Sequence, residues 1–279
     1  MEIGSFIEMQ FPKGKEYYNQ SVDIARLNTG RSAIWHAFRV SGVKAIWIPY
    51  YQCDTVRELL LKHSAKVKFY HTDNDWNPTD LDAKKDEAVL FVNYYGIMSH
   101  KRMSELASLS EHPIIDNCQG FFCEPVAGAL NIYSCRKFVG VPDGSYVIGK
   151  GAHKYVGEYP QCYSSDTAAF LLMRIEYGCE GKGYEARHIN EQRIDTEDIM
   201  KMSKLTRTIL DGTDYEQIKQ KRRDNFDYMH NRLGGINKIN PKQYYNETTI
   251  PMVYPLVVED DGLIPVSYTH LTLPTILRV

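Results

Sequence analysis

The chain has no run of the ~20 apolar residues that a membrane-spanning helix needs. Its opening stretch, MEIGSFIEMQFPKGKEYY, is acidic early and carries no apolar centre of the kind a secretory leader requires. Both absences point to a cytoplasmic protein without a membrane partner. An excess of charge of either sign is missing too: 33 basic and 35 acidic residues leave a net charge of −2. No broad field therefore favours nucleic acid or an anionic surface. The one basic run, Lys219–Arg223 (KQKRR), lies in a helical pattern and reads as a solvated face.

Other chemistries are excluded by missing spacings. The six cysteines, Cys53, Cys118, Cys123, Cys135, Cys162 and Cys179, form no CxxC pair, and no histidine is spaced with them as a zinc site demands. They read as reduced, mostly buried thiols, and no metal site is expected. There is no G-x-G-x-x-G loop, no Walker loop and no G-x-S-x-G elbow. His71, His153 and His188 have no partners at metal or triad spacing, and Trp35 and His36 read as core or flank of the first helix.

What is present is an alternation of short apolar runs with amphipathic stretches. The chain has 279 residues, 43% apolar and 24% charged, enough for a large core without disulfide staples. Strands are predicted at Ala45–Pro49, Lys66–His71, Glu87–Val92, Pro113–Asp116, Ala129–Tyr133 and Tyr146–Ile148. Helices are predicted from about Arg31 and over Val56–His63 and Lys101–Ser110. Strands separated by helices imply crossovers, a mostly parallel sheet and helices on both faces. Ligands of such sheets sit at the carboxyl ends of the strands, where Asn93, Tyr95 and Asp116 all fall. After about residue 164 the pattern turns helical; Asp214–Leu233 is the clearest helix, stopped by Gly234-Gly235, and Ile250–Val258 reads as a further strand.

One segment carries most of the chemistry. Residues 112–137 read HPIIDNCQGFFCEPVAGALNIYSCRK. Asp116 closes one apolar strand, Gln119 follows three residues later, and a second apolar run delivers Ser134 and Lys137. A carboxylate ending a core strand is costly unless it meets a partner. A lysine amine just past a neighbouring strand can join an aldehyde, and a carboxylate can keep a pyridine nitrogen protonated so that the ring accepts electrons. The pair therefore points to pyridoxal 5'-phosphate (PLP). Upstream, Thr29-Gly30 precedes a helix whose free amides and positive dipole end suit a phosphate. Gly30 permits close approach, Ser32 adds a hydroxyl, and Arg31 at the helix start would be favoured by a bound anion. A plain capped helix and a surface lysine are the alternative readings of these residues taken singly.

Taken in order, the motifs resemble the DegT/DnrJ/EryC1/StrS sugar aminotransferase family of fold-type I PLP enzymes. TGRSA (29–33) stands at the phosphate-binding helix, IPYYQCDT (48–55) at the end of the next strand, and FVNYYGIMS (91–99) after an apolar strand. The family's Asp-x-x-Gln is matched by DNCQ (116–119), its Ser-x-x-Lys by SCRK (134–137), and a glycine-bearing strand by DGSYVIG (143–149). The resemblance covers about residues 25–260. It implies that Lys137 bonds the cofactor and moves the reacting proton, that Asp116 pairs with the pyridine nitrogen, and that Gln119 meets the ring oxygen. It places Gly30, Arg31, Ser32 and Ser134 on the phosphate, and Tyr51 or Cys53 in the ring-stacking region, with no choice between the two. Lys137 follows Asp116 by fewer residues than is usual in the family, in a loop that shapes the substrate site.

The implied fold is α/β: a PLP-dependent aminotransferase-like large domain over residues 1–200 and a partial, truncated C-terminal small domain over 201–264. Residues 265–279 (PVSYTHLTLPTILRV) read as a non-native tail. The implied activity moves an amino group, typically from glutamate, to a keto group of a nucleotide-linked sugar, in a homodimer. Two alternatives remain. One is a non-catalytic protein of the same fold acting as regulator or scaffold. The other is a PLP-dependent sugar dehydratase, whose relatives carry histidine where Lys137 stands.

Overall fold

The computed structural model describes residues 7–19 and 23–258. Seven strands form one sheet: β1 (Ile24–Leu27), β2 (Ala45–Pro49), β3 (Lys66–Tyr70), β4 (Glu87–Val92), β5 (His112–Asn117), β6 (Leu130–Ser134) and β7 (Ser145–Ile148). Their spatial order is β1-β7-β6-β5-β4-β2-β3. The pairs β2–β3, β2–β4, β4–β5 and β5–β6 are parallel, and only β7 runs against its neighbours β1 and β6. The expected mostly parallel sheet is thus present, with β2 and β4 at the bounds predicted for them.

Period-two alternation explains the layers. In β4, Ala88 and Leu90 join the core that packs under α1 (Gly30–Ser41) and α2 (Asp54–Lys62). Val89 and Phe91 point the other way, into the core under α3 (His100–Ala107). Ile114 and Ile115 of β5 divide between the same two cores. Burial on both faces accounts for the unbroken apolar runs of these central strands.

The second half is helical: α4 (Ala169–Tyr177), α5 (Lys182–Thr196), α6 (Lys204–Asp211) and α7 (Tyr215–Leu233). Asp214 caps α7 by accepting from the Gln217 amide at 3.0 Å. Three expectations need correction. Ile24–Leu27, which the pattern leaves unmarked, is a short edge strand. Residues 250–258 form no strand; Pro251 and Pro255 each remove a ladder donor, and the segment runs irregularly. The basic run of α7 is not simply a solvated face. The Lys219 ammonium lies over the Tyr17 ring at 4.8 Å, and the Arg222 guanidinium over the Phe138 ring at 4.2 Å. The expected tail at 265–279 and the end of the expected small domain lie outside the described residues.

Candidate active site

The carboxyl ends of β2, β4, β5 and β6 converge with the start of α1. Thr29 caps that helix: its hydroxyl accepts from the Ser32 amide at 3.1 Å and meets the Ser32 hydroxyl at 2.7 Å. The Thr29 carbonyl accepts from the Ala33 amide at 3.0 Å. The cap therefore leaves the Gly30 and Arg31 amides as the first-turn donors open to an anion. Gly30 is required by close packing. A Cβ there would stand 2.7 Å from Cys118 Sγ and 3.8 Å from the Ser134 Cβ. The start of α1, the end of β6 and the turn after β5 thus meet at one point.

Asp116 is buried at the end of β5. One of its oxygens accepts the Cys118 amide at 2.9 Å, and the other accepts the Gln52 side-chain amide at 3.0 Å. Burial pushes the Cys118 thiol well above its ordinary range, with the Asp116 charge adding to the effect and the Lys137 charge opposing it. Cys118 is therefore held as a thiol beside Asp116 and is a poor rival nucleophile.

Lys137 ends a 3-10 turn, Cys135–Lys137, directly after β6. The turn is fixed by the Phe138 and Val139 amides, both donating to the Cys135 carbonyl, at 3.0 and 2.9 Å. Lys137 is exposed, and its neighbour Arg136 is paired with Glu191.

Gln119 turns toward the loop after β4, where its side-chain oxygen accepts the Tyr95 amide at 3.0 Å. Its NH2 end is thereby the end left for an acceptor such as a phenolic oxygen. Tyr51 stacks on Tyr94, centroids 5.2 Å apart, and its hydroxyl meets that of Tyr95 at 3.0 Å. Cys53 is exposed at the start of α2 and faces the Thr55 hydroxyl at 3.1 Å. The Arg31 guanidinium is turned away, to Asp195 at 3.1 Å and to the Ile194 carbonyl. Among the expected residues, then, Gly30 and Asp116 meet Cys118, the Ser134 Cβ lies close to Gly30, and Lys137 follows exposed in the turn after β6. The Arg31 side chain is engaged elsewhere, and Tyr51 and Cys53 point to separate neighbours.

Two residues at the site escaped sequence reasoning. Gln52 lies between the two stacking candidates, Tyr51 and Cys53, and its side-chain amide meets Asp116. Cys118 sits inside the DNCQ motif, and its place against Gly30 is a tertiary contact with no local signal.

These groups fit a phosphorylated pyridine aldehyde. Open amides and a buried Ser134 hydroxyl suit the phosphate, a fixed carboxylate suits a ring N–H, and a lysine amine suits the aldehyde. Among the described residues, no helix is long and apolar enough to cross a membrane.

Comparison with solved structures bears on the architecture. The chain has the fold of the DegT/DnrJ/EryC1/StrS aminotransferases. An aminotransferase of that group from Brucella abortus superposes with a TM-score of 0.55 at 15% identity, over 90% of this chain and 70% of that one. A sugar aminotransferase from Micromonospora echinospora gives 0.53 at 14%, over 86% and 69%. A Bacillus subtilis protein, NtdA, solved with bound cofactor PMP, gives 0.56 at 14%, over 92% and 60%. No family model and no curated protein matches the sequence.

Proposed function

We propose that the protein is a PLP-dependent aminotransferase. The observation that carries this reading is the meeting of Gly30, Ser134 and Asp116 at the Cys118 turn, with Lys137 in the turn directly after β6, at the carboxyl edge of the sheet. Bound there, the pyridine ring would supply an electron sink for charge developed at the substrate carbon. The Gly30 and Arg31 amides and the Ser134 hydroxyl hold its phosphate. Asp116, oriented by Cys118 and Gln52, holds the ring N–H, and the NH2 of Gln119 serves the ring oxygen. Lys137 Nζ would be the amine that meets the aldehyde and the group that moves the substrate proton.

The substrate proposed is a keto sugar carried on a nucleotide, with glutamate as amino donor. Two facts support a sugar. One structural neighbour is described as a sugar aminotransferase. Beside Gln119, the rings of Tyr51, Tyr94, Tyr95 and Trp76 make an aromatic wall with two phenol hydroxyls at its mouth, which suits a ring with apolar C–H faces and hydroxyl edges. A cytoplasmic homodimer remains the proposed state.

Titration with PLP is expected to give a visible absorbance band that Lys137→Ala abolishes. Glutamate is expected to bleach that band in the unmodified chain. Lys137→Ala should also lower amino transfer by about a thousandfold, the scale of a lost proton-transfer group. A band that persists in Lys137→Ala would remove Lys137 from its role; no band in the unmodified chain would remove the reading itself.

A further inference from the structure

Arg222 is a half-buried cation that the proposed chemistry does not use. It projects from α7, its guanidinium covers the Phe138 ring, and burial lowers its pKa to about 10. Among the described residues no carboxylate lies within ion-pair distance of it. Its two arms are spent on main-chain carbonyls instead: one donates to Met252 at 2.8 Å, the other to Lys137 at 2.6 Å. A half-buried guanidinium without a carboxylate partner is thus held by these two carbonyls and the aromatic face.

The contacts continue as a chain. The Met252 amide donates to the Tyr95 carbonyl at 2.8 Å, and the Tyr95 amide donates to Gln119 at 3.0 Å. Lys137 and Gln119 are therefore tied together through α7 and the segment around Met252. At its middle Tyr95 holds φ 60°, a conformation disfavoured for a bulky side chain. Lys137 itself is exposed, and the Arg222 arm on its carbonyl adds to the Cys135 turn bonds and the Arg136–Glu191 pair beside it.

We infer that Arg222 is a positioning residue that fixes the Lys137 turn so that its amine meets the cofactor aldehyde. The inference rests on the functional reading above. It assigns α7 a part in the active site that no group touching the cofactor reveals.

The test separates capture of PLP by Lys137 from binding of PLP as such. Binding is measured by fluorescence quenching, and capture by borohydride reduction followed by peptide mass analysis at Lys137. In Arg222→Met the captured fraction of bound cofactor is expected to fall about tenfold, the scale of one hydrogen bond from a charged group. Affinity is expected to change by less than about threefold, since the phosphate and ring contacts remain. Arg222→Lys keeps the charge and one donor arm, and should recover part of the captured fraction; it also serves if Arg222→Met does not fold. An unchanged captured fraction in Arg222→Met, or one in Arg222→Lys no higher than in Arg222→Met, overturns the inference and leaves the aminotransferase reading standing. Binding and capture falling in parallel also overturn it, because Arg222 would then support the fold generally. Absence of capture in the unmodified chain overturns both.

Discussion

The Gln52 side-chain amide donates to Asp116 at 3.0 Å, and its own carbonyl accepts the Cys53 amide at 2.8 Å. The second bond fixes which end of Gln52 faces Asp116, and the Cys118 amide fixes which Asp116 oxygen is left for Gln52. In Asp116→Asn the oxygen would stay on Cys118, and its new NH2 would confront the NH2 of Gln52. This variant is expected to lose about 1–3 kcal/mol of stability, the cost of an unsatisfied buried donor. It should also bind PLP about tenfold or more weakly, through the lost charge. Adding Gln52→Glu supplies acceptors both to the introduced NH2 and to the Cys53 amide, so it should restore stability but not PLP binding. Urea midpoints and a PLP titration read the two effects separately. Recovery of binding along with stability would show that the Asp116 charge is not what the cofactor needs.

Gly30→Ala should damage the site through one atom. The added Cβ would stand 2.7 Å from Cys118 Sγ, closer than side chains pack. The expected cost is about 1–3 kcal/mol, the range for overpacking a tight core. Cys118→Ala removes the opposing sulfur, so the double variant should be more stable than Gly30→Ala alone. Thermal unfolding of the four proteins completes the cycle. Additive losses would mean that the start of α1 and the Cys118 turn are not in contact.

The same residues indicate what the sequence reveals. β2 and β4 are legible to the residue because both are continuous apolar runs. Residues 250–258 present an equally apolar run, yet two prolines deny it a ladder. β1 is too short, and too polar at Arg26, to stand out before β7 is known to pair with it. In the proposed site, Asp116, Gln119, Ser134 and Lys137 are readable as candidates because the spacing of chemical groups along adjoining strands is local. Gln52 and Arg222 act on partners 64 and 85 residues away. No periodicity records such a contact, and within KQKRR an inward arginine has the same letters as a solvated one.

Gly96→Ala tests the wall on the far side of the site. Gly96 holds φ +70°, and a Cβ there would stand 1.9 Å from the Gln119 carbonyl oxygen. A side chain meets both a disfavoured backbone angle and a main-chain atom that cannot swing aside. The expected loss is about 3 kcal/mol or more, at the upper end for single substitutions. PLP affinity should fall too, because Gln119 must shift with its carbonyl. A variant with normal stability and binding would show that the Tyr95–Gly96 turn is free to move away from Gln119.

Acid stability should depend on Glu87, at the start of β4 and away from the site. Burial alone would push its carboxyl up, but bonds from the Lys68 ammonium at 2.5 Å, the Trp47 indole at 2.7 Å and the Lys84 amide at 3.1 Å outweigh that and hold it at about 2. A carboxyl lowered by folding adds stability that is fully present above its unfolded value, near 4.5, and is lost as the pH falls toward 2. Glu87→Gln is therefore expected to cost about 2 kcal/mol at pH 7 and progressively less below about pH 4, so that the two proteins converge in acid. Urea unfolding across that range measures the gap. A gap that stays constant with pH would assign the loss to packing at the strand end rather than to the ionised carboxylate and its three donors.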